Sequence, residues 1–201
     1  MPATIPWRAY LLHMEHIDQR VGVFVDIQNL YHSAKHLYNA RVNFGEVLKT
    51  LVGDRKLIRA IGYVVKSDTS LGEASFFEAL EKSGIELRMK DLQIFSGGAK
   101  KADWDVGMAV DAIRMAEFLD VIILVTGDGD FVPLVEYLQN GRGRQVEVAS
   151  FSRSTSGRLI EVADVFVDLE GNKQFLLTPP RRRTTRTSTP HSKSNNKKKK
   201  E

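Results

Sequence analysis

VIILVTGDGDFVPLVEYLQNG, residues 121–141, changes period halfway along. Residues 121–127 form the most apolar run in the chain, the pattern of a strand buried on both faces. Residues 131–141 then read as a helix. Pro133 is tolerated there because it falls in the first turn, where no amide donor is missed. The same strand-to-helix switch recurs on either side. VGVFVDI (21–27) is a β-branched strand followed by a helix from about Asn29. IRAIGYVV (58–65) is a second strand, followed by a helix over 71–84 with Gly84 at its C-terminal stop. IELRM (85–89), QVEVASF (145–151) and VFVDL (165–169) read as further strands, with a short helix over 156–163. NFGEVLKTL (43–51) is a helix whose Asn43 and Glu46 have capping-box spacing. In the 105–119 helix, Val106, Ala109, Val110, Ile113 and Ala116 form the expected buried stripe. SGGAKK (96–101) reads as a loop. Such alternation predicts an α/β fold with a mainly parallel central sheet and helices on both faces. Ligands of such sheets bind beyond the carboxyl ends of the strands.

The chain has 201 residues, 42% of them hydrophobic and 27% charged, enough to bury one domain's core. It has no cysteine, which excludes a disulfide framework, a cysteine nucleophile, an iron–sulfur cluster and the commonest zinc sites. The formal charge of +4 is unevenly spread. Residues 179–201 carry nine Lys/Arg and one acid, leaving 20 basic and 24 acidic residues in 1–178. The tail is therefore net +8 and the rest net −4. Almost free of apolar side chains, the tail is expected to be disordered. It is either a solubilising appendage, a nuclear-import signal or an arm for RNA through Arg181, Arg182, Arg183, Lys197, Lys198, Lys199 and Lys200. Three regions result: an N-terminal extension over 1–19, helical or disordered; a folded domain over 20–170; and a basic tail over 171–201. There is no run of eighteen apolar residues and no secretory signal is expected, so the protein is expected off the membrane and in the cytoplasm.

Three groups of acids fall where that sheet would place its ligand. Asp26 ends the first strand, Asp128 and Asp130 follow the fourth, and Asp103 and Asp105 open the long helix. Carboxylates gathered on one edge repel one another unless a cation intervenes, and Mg²⁺ or Mn²⁺ suits an all-oxygen set. Each acid also has a purely structural reading. Asp26 suits a helix N-cap, Asp103 and Asp105 suit caps or first-turn acids, and Asp128-Gly129-Asp130 suits a turn and a cap. Asn29, one helical turn beyond Asp26, orients a water, orients the Asp26 carboxylate or caps the helix. Lys100 and Lys101 lie where they could meet phosphate. Trp104 reads as a packing anchor in preference to a base-stacking platform, and Asp111 as a solvated or helix-packing acid. Spacing alone does not separate a nuclease from a phosphatase. The phosphate loop, the dinucleotide glycine fingerprint and the serine nucleophile elbow are all missing. So is the second acid of an aspartyl-phosphatase motif, since Asp26 is followed by Ile27, Gln28 and Asn29.

FVDIQNL (24–30), KADWDVGMAVDA (101–112) and TGDGDF (126–131) together resemble the three motifs of the NYN domain, in its LabA-like branch. That family is related to PIN-domain ribonucleases. The resemblance covers roughly 20–170 and implies a Rossmann-like three-layer sandwich with an acidic Mg²⁺- or Mn²⁺-binding site. By position it makes Asp26 and Asn29 the first motif's pair, Asp105 the middle acid with Asp103 beside it, and Asp128 and Asp130 the third pair. The implied activity is metal-dependent endoribonuclease action on single-stranded or structured RNA. Asp26, Asp105, Asp128 and Asp103 would be candidate ligands, with Asp130 an outer ligand or a support of its motif. The alternative is a non-catalytic regulatory module that binds RNA or protein and controls gene expression. RNA is the expected partner, with a homodimer or a protein partner also open.

Overall fold

The computed structural model describes residues 17–66, 73–91, 93–94, 100–101 and 103–177. Of the expected extension over 1–19, residues 1–16 lie outside these residues, as does the expected tail from 178 on, with the nine arginines and lysines of 179–201.

Strand β1 (Arg20–Asp26) sits mid-sheet, with Val21, Val23, Phe24 and Val25 buried. It pairs in parallel with β3 (Lys56–Lys66) on one side and β7 (Val121–Val125) on the other. β4 (Glu86–Asp91) extends the sheet beyond β3, and β8 (Gln145–Ser150) and β9 (Val165–Asp168) extend it beyond β7. All five pairings are parallel. Counted along the chain, the sheet's own strands run 3-2-1-4-5-6, the doubly wound order. The chain leaves the centre in one direction, returns, and leaves in the other. The reversal falls between β1 and β7, and the carboxyl ends of these two strands frame the crevice.

Period-2 alternation gives β1 two cores. Val21, Val23 and Val25 meet α1 (Ile27–Tyr38) and α2 (Phe44–Val52) through Leu30, Ala34, Val47 and Leu51. α3 (Glu73–Lys82) joins that face through Leu80. Phe24 points the other way, with Ile61, Tyr63, Ile122 and Leu124, toward α4 (Asp105–Met115) and α5 (Val132–Arg142). α1 begins at Ile27, two residues before its expected start, because Asp26 Oδ1 accepts the Asn29 amide proton at 3.0 Å and fixes the N-cap. Asn43 caps α2 as its spacing predicts, accepting from the Glu46 amide. Gly84, at φ +86°, makes the turn after α3 that a side chain would strain.

Three expectations need correction. The buried face of α4 is Met108, Ala112 and Ala116, continuing to Leu119, with Ala109 and Ile113 packed partly against it; of the expected stripe, Val106 and Val110 fall outside. Val106 is 75% exposed and Val110 46%. The helix is apolar at most positions, so its pattern leaves the face undecided. Trp104 decides it, donating from Nε1 to the Val64 carbonyl at 2.8 Å and packing its ring 5.6 Å from Tyr63. Lys100–Lys101, expected in a loop, form a strand β6 antiparallel to β5 (Gln93–Ile94). Residues 95–99 of that segment lie outside the described residues. The fold also runs past 170. Leu176–Leu177 (β10) pairs with β2 (Arg41–Val42), and Phe175 is buried. The last α-helix among the described residues, α6, spans Gly157–Val162.

Candidate metal centre

Asp105 opens α4, and Asp128 follows β7 by way of Thr126 and Gly127. Asp130 lies in the short 3-10 turn Gly129–Phe131 that leads into α5. These three carboxylates each present an oxygen, and the three oxygens lie within 4.8 Å of one another. Asp105 and Asp128 are half-buried and Asp130 is exposed, so the cluster opens to solvent on one side. The sequence brought all three to this edge as candidates. The structure moves Asp130 from the periphery into the group. Asp26 and Asp103 stand outside it.

The Asp26 carboxyl is pushed up to about 6. Burial is the largest cause, and the charges of Asp105 and Asp128 add to it. The amides of Asn29 and Gln28 pull the other way. Asp105 is raised as well, by burial first and then by Asp103, Asp128 and Asp130. Lys90, at the end of β4, opposes that rise. Burial and mutual repulsion thus disfavour the ionised cluster, and a cation relieves both.

The capping readings and the site readings hold together. Asp26 caps α1, and Asp128 Oδ1 accepts the Asp130 amide proton at 3.0 Å, capping its turn. Each carboxylate has a second oxygen. Asn29 holds the two strand ends together: its Oδ1 accepts the Gly127 amide proton at 3.0 Å. It therefore positions the third motif from the first. Gly127 has no room for a side chain, since a Cβ would lie 2.7 Å from the Ser154 carbonyl oxygen. Thr126 Oγ1 accepts from the Asp128 amide. Trp104 is the packing anchor expected of it. Asp111 is drawn inward, accepting from the buried Tyr63 hydroxyl at 3.0 Å, with Arg88 at 3.7 Å. Lys100 and Lys101 lie in β6, and the tail cations lie outside the described residues.

Lys90 is the site residue that motif reading missed. Its Nζ donates to the Asp103 carbonyl at 2.9 Å and sits 5.5 Å from the centre of the Trp104 ring. The carboxyl-end rule applied to β4 as well as to β1 and β7 would have found it.

An all-parallel doubly wound sheet with carboxylates gathered at its switch point defines an α/β protein with an acidic, oxygen-only site. The NYN domain family model matches residues 20–170, and the chain belongs to that family. The low amplitude and bright protein LabA of Synechococcus elongatus is 24% identical over 172 residues, covering 78% of this chain and 87% of that protein. The crystal structure of a Vibrio parahaemolyticus protein of unknown function superposes with a TM-score of 0.74 at 32% identity, covering 82% of this chain and 99% of the other. Among the described residues, no helix is long and apolar enough to cross a membrane.

Proposed function

We propose that the protein is a metal-dependent endoribonuclease acting on single-stranded or structured RNA. The observation that carries this reading is the convergence of Asp105, Asp128 and Asp130 within 4.8 Å at the switch point of the sheet. Three carboxylate oxygens, with neither nitrogen nor sulfur among them, fit a hard cation such as Mg²⁺ or Mn²⁺. Bound there, the cation would supply Lewis acidity and neutralise charge developing on the phosphate. Asp105, Asp128 and Asp130 would hold it. Asp26, raised to about 6 and steadied by its cap, is suited to take the proton of an attacking water near neutral pH. Asn29 keeps the first and third motifs in register. The family supports nuclease chemistry as a class. RNA as substrate, and the choice of metal, are this reading's own steps.

A non-catalytic regulatory module would keep this fold. It would also keep Asp26 and Asp105 in surroundings that resist their ionisation, with no use for them. The deciding experiment is cleavage of a labelled mixed-sequence RNA with Mg²⁺ or Mn²⁺, beside EDTA and Asp128→Asn controls. Cleavage by the wild type alone, and only with metal, supports the nuclease. Equal cleavage by both proteins indicates a contaminant. Absence of cleavage with RNA binding intact supports the regulatory module.

A further inference from the structure

On the sheet face that carries α4, no helix among the described residues packs closely over the edge strand β4. Residues Glu86, Arg88 and Lys90 alternate onto this face opposite Ile61, Tyr63 and Val65 of β3. Arg88 is 46% exposed. Between this edge and the C-terminal part of α4 lies a cavity of about 460 Å³. Arg59, Arg88, Arg114 and Arg142 line it, together with Phe118 and Asp111. The body of the protein is net negative, so four arginines around one cavity run against its overall charge.

Their charges are unequally committed. Arg59 is held by both oxygens of Glu86. Arg88 reaches Asp111 only at 3.7 Å, and Asp111 already accepts from Tyr63. Arg142 donates to the Tyr137 hydroxyl at 3.1 Å and lies against that ring. Among the described residues, neither Arg114 nor Arg142 forms an ion pair. Glu117 stands on the rim and offsets part of the excess. Phe118 is 57% exposed beside these guanidinium groups, although most other phenylalanines of the fold are buried or half-buried.

The cavity and the acid cluster occupy opposite ends of one helix. From Asp105 to Arg114 is about 14 Å along the α4 axis at 1.5 Å per residue. Arg88 and then Lys90 bridge that distance along β4, and Lys90 ends beside Asp103 and Asp105. Free guanidinium groups recognise phosphate, and an exposed aromatic ring among cations is a platform for a base.

We infer that the groove between α4 and β4 seats a single-stranded RNA backbone, with Arg114, Arg142 and Phe118 holding it at the far end and Arg88 and Lys90 leading it to the acids. This places the substrate path for the proposed ribonuclease and rests on that reading, but its test does not need cleavage.

The full-length protein is titrated with a fluorescent single-stranded RNA in EDTA across a range of salt concentrations. Each phosphate contact on a single strand contributes about 0.7 to the slope of log affinity against log salt. The Arg114→Ala/Arg142→Ala protein should therefore lose about 1.4 from the slope. A Lys35→Ala/Lys49→Ala protein removes the same charge from α1 and α2, on the other face, and should change the slope far less. Phe118→Ala should weaken binding fivefold or more with the slope unchanged. Equal slope changes in the two double variants would show a general charge effect and overturn the groove. So would an unchanged slope in the arginine variant, the result expected if an acidic protein fills the groove, or a failure of the full chain to bind RNA. If the wild type binds with this arginine dependence but never cleaves, the nuclease reading falls and the groove stands.

Discussion

One oxygen of Asp26 accepts the Asn29 amide proton while the carboxyl itself is held near 6, about two units above an ordinary aspartate. The native state thus binds this proton more tightly than the unfolded chain. Stability from this group is greatest below the unfolded value near 4, falls as pH rises through 4 to 6, and stays reduced above. Asp26→Asn keeps an oxygen for the cap and removes the charge. We expect it to stabilise the metal-free protein by about 2 kcal/mol at pH 7.5, and by nothing below pH 4. Urea unfolding in EDTA at the two pH values checks this; equal gains at both would place the cause elsewhere. A cation held by Asp105, Asp128 and Asp130 would oppose the protons that burial and repulsion favour on Asp105 and on neighbouring Asp26. Mn²⁺ should therefore raise the melting temperature at pH 7.5, do so weakly at pH 5, and fail to do so in Asp128→Asn.

At the scale of elements, the site depends on two short links. Asn29 joins the start of α1 to the loop after β7, and Trp104 pins the start of α4 to β3. Asn29→Ala would leave the buried Gly127 amide without its partner. The expected cost is about 2 kcal/mol in chemical denaturation, with a larger loss of Mn²⁺-dependent stabilisation than the fold's own loss explains. Equal metal response in Asn29→Ala and the wild type would reduce the link to a stability device. Much of this level was readable beforehand. The strands announced themselves through β-branched runs, and Asn43 and Gly84 marked helix limits through local chemistry. The face of α4 was readable only in part, through Ala109, Ile113 and Ala116. Apolar residues surround most of that helix, and the Trp104–Val64 bond that orients it joins residues 40 positions apart. β2 and β10 were missed because two-residue strands carry no period.

Across the molecule, the two halves of the sheet are tied by Arg55 and Glu147, 92 positions apart and 12% and 7% exposed. Arg55 also donates to the carbonyl of Val52 at the end of α2. Arg55→Ala would strand a buried carboxylate and is expected to cost about 3 kcal/mol in thermal or urea unfolding. Replacing both partners with apolar residues of similar volume should recover most of that loss. At the same scale, an RNA-binding role for the +8 tail would work through charge alone, so in that case deleting 179–201 should flatten the salt dependence of RNA binding. An unchanged slope would remove the tail from the binding surface. The parallel sheet and the acids at its carboxyl edge could be read from order and period, because a buried strand, a cap and a strand-end acid are properties of consecutive residues. The doubly wound strand order, Asp130 in the cluster in place of Asp103, Lys90 beside Asp105 and the arginine groove could not. Each joins segments distant in the chain, and which of those meet is set by how the crossovers pack on the sheet.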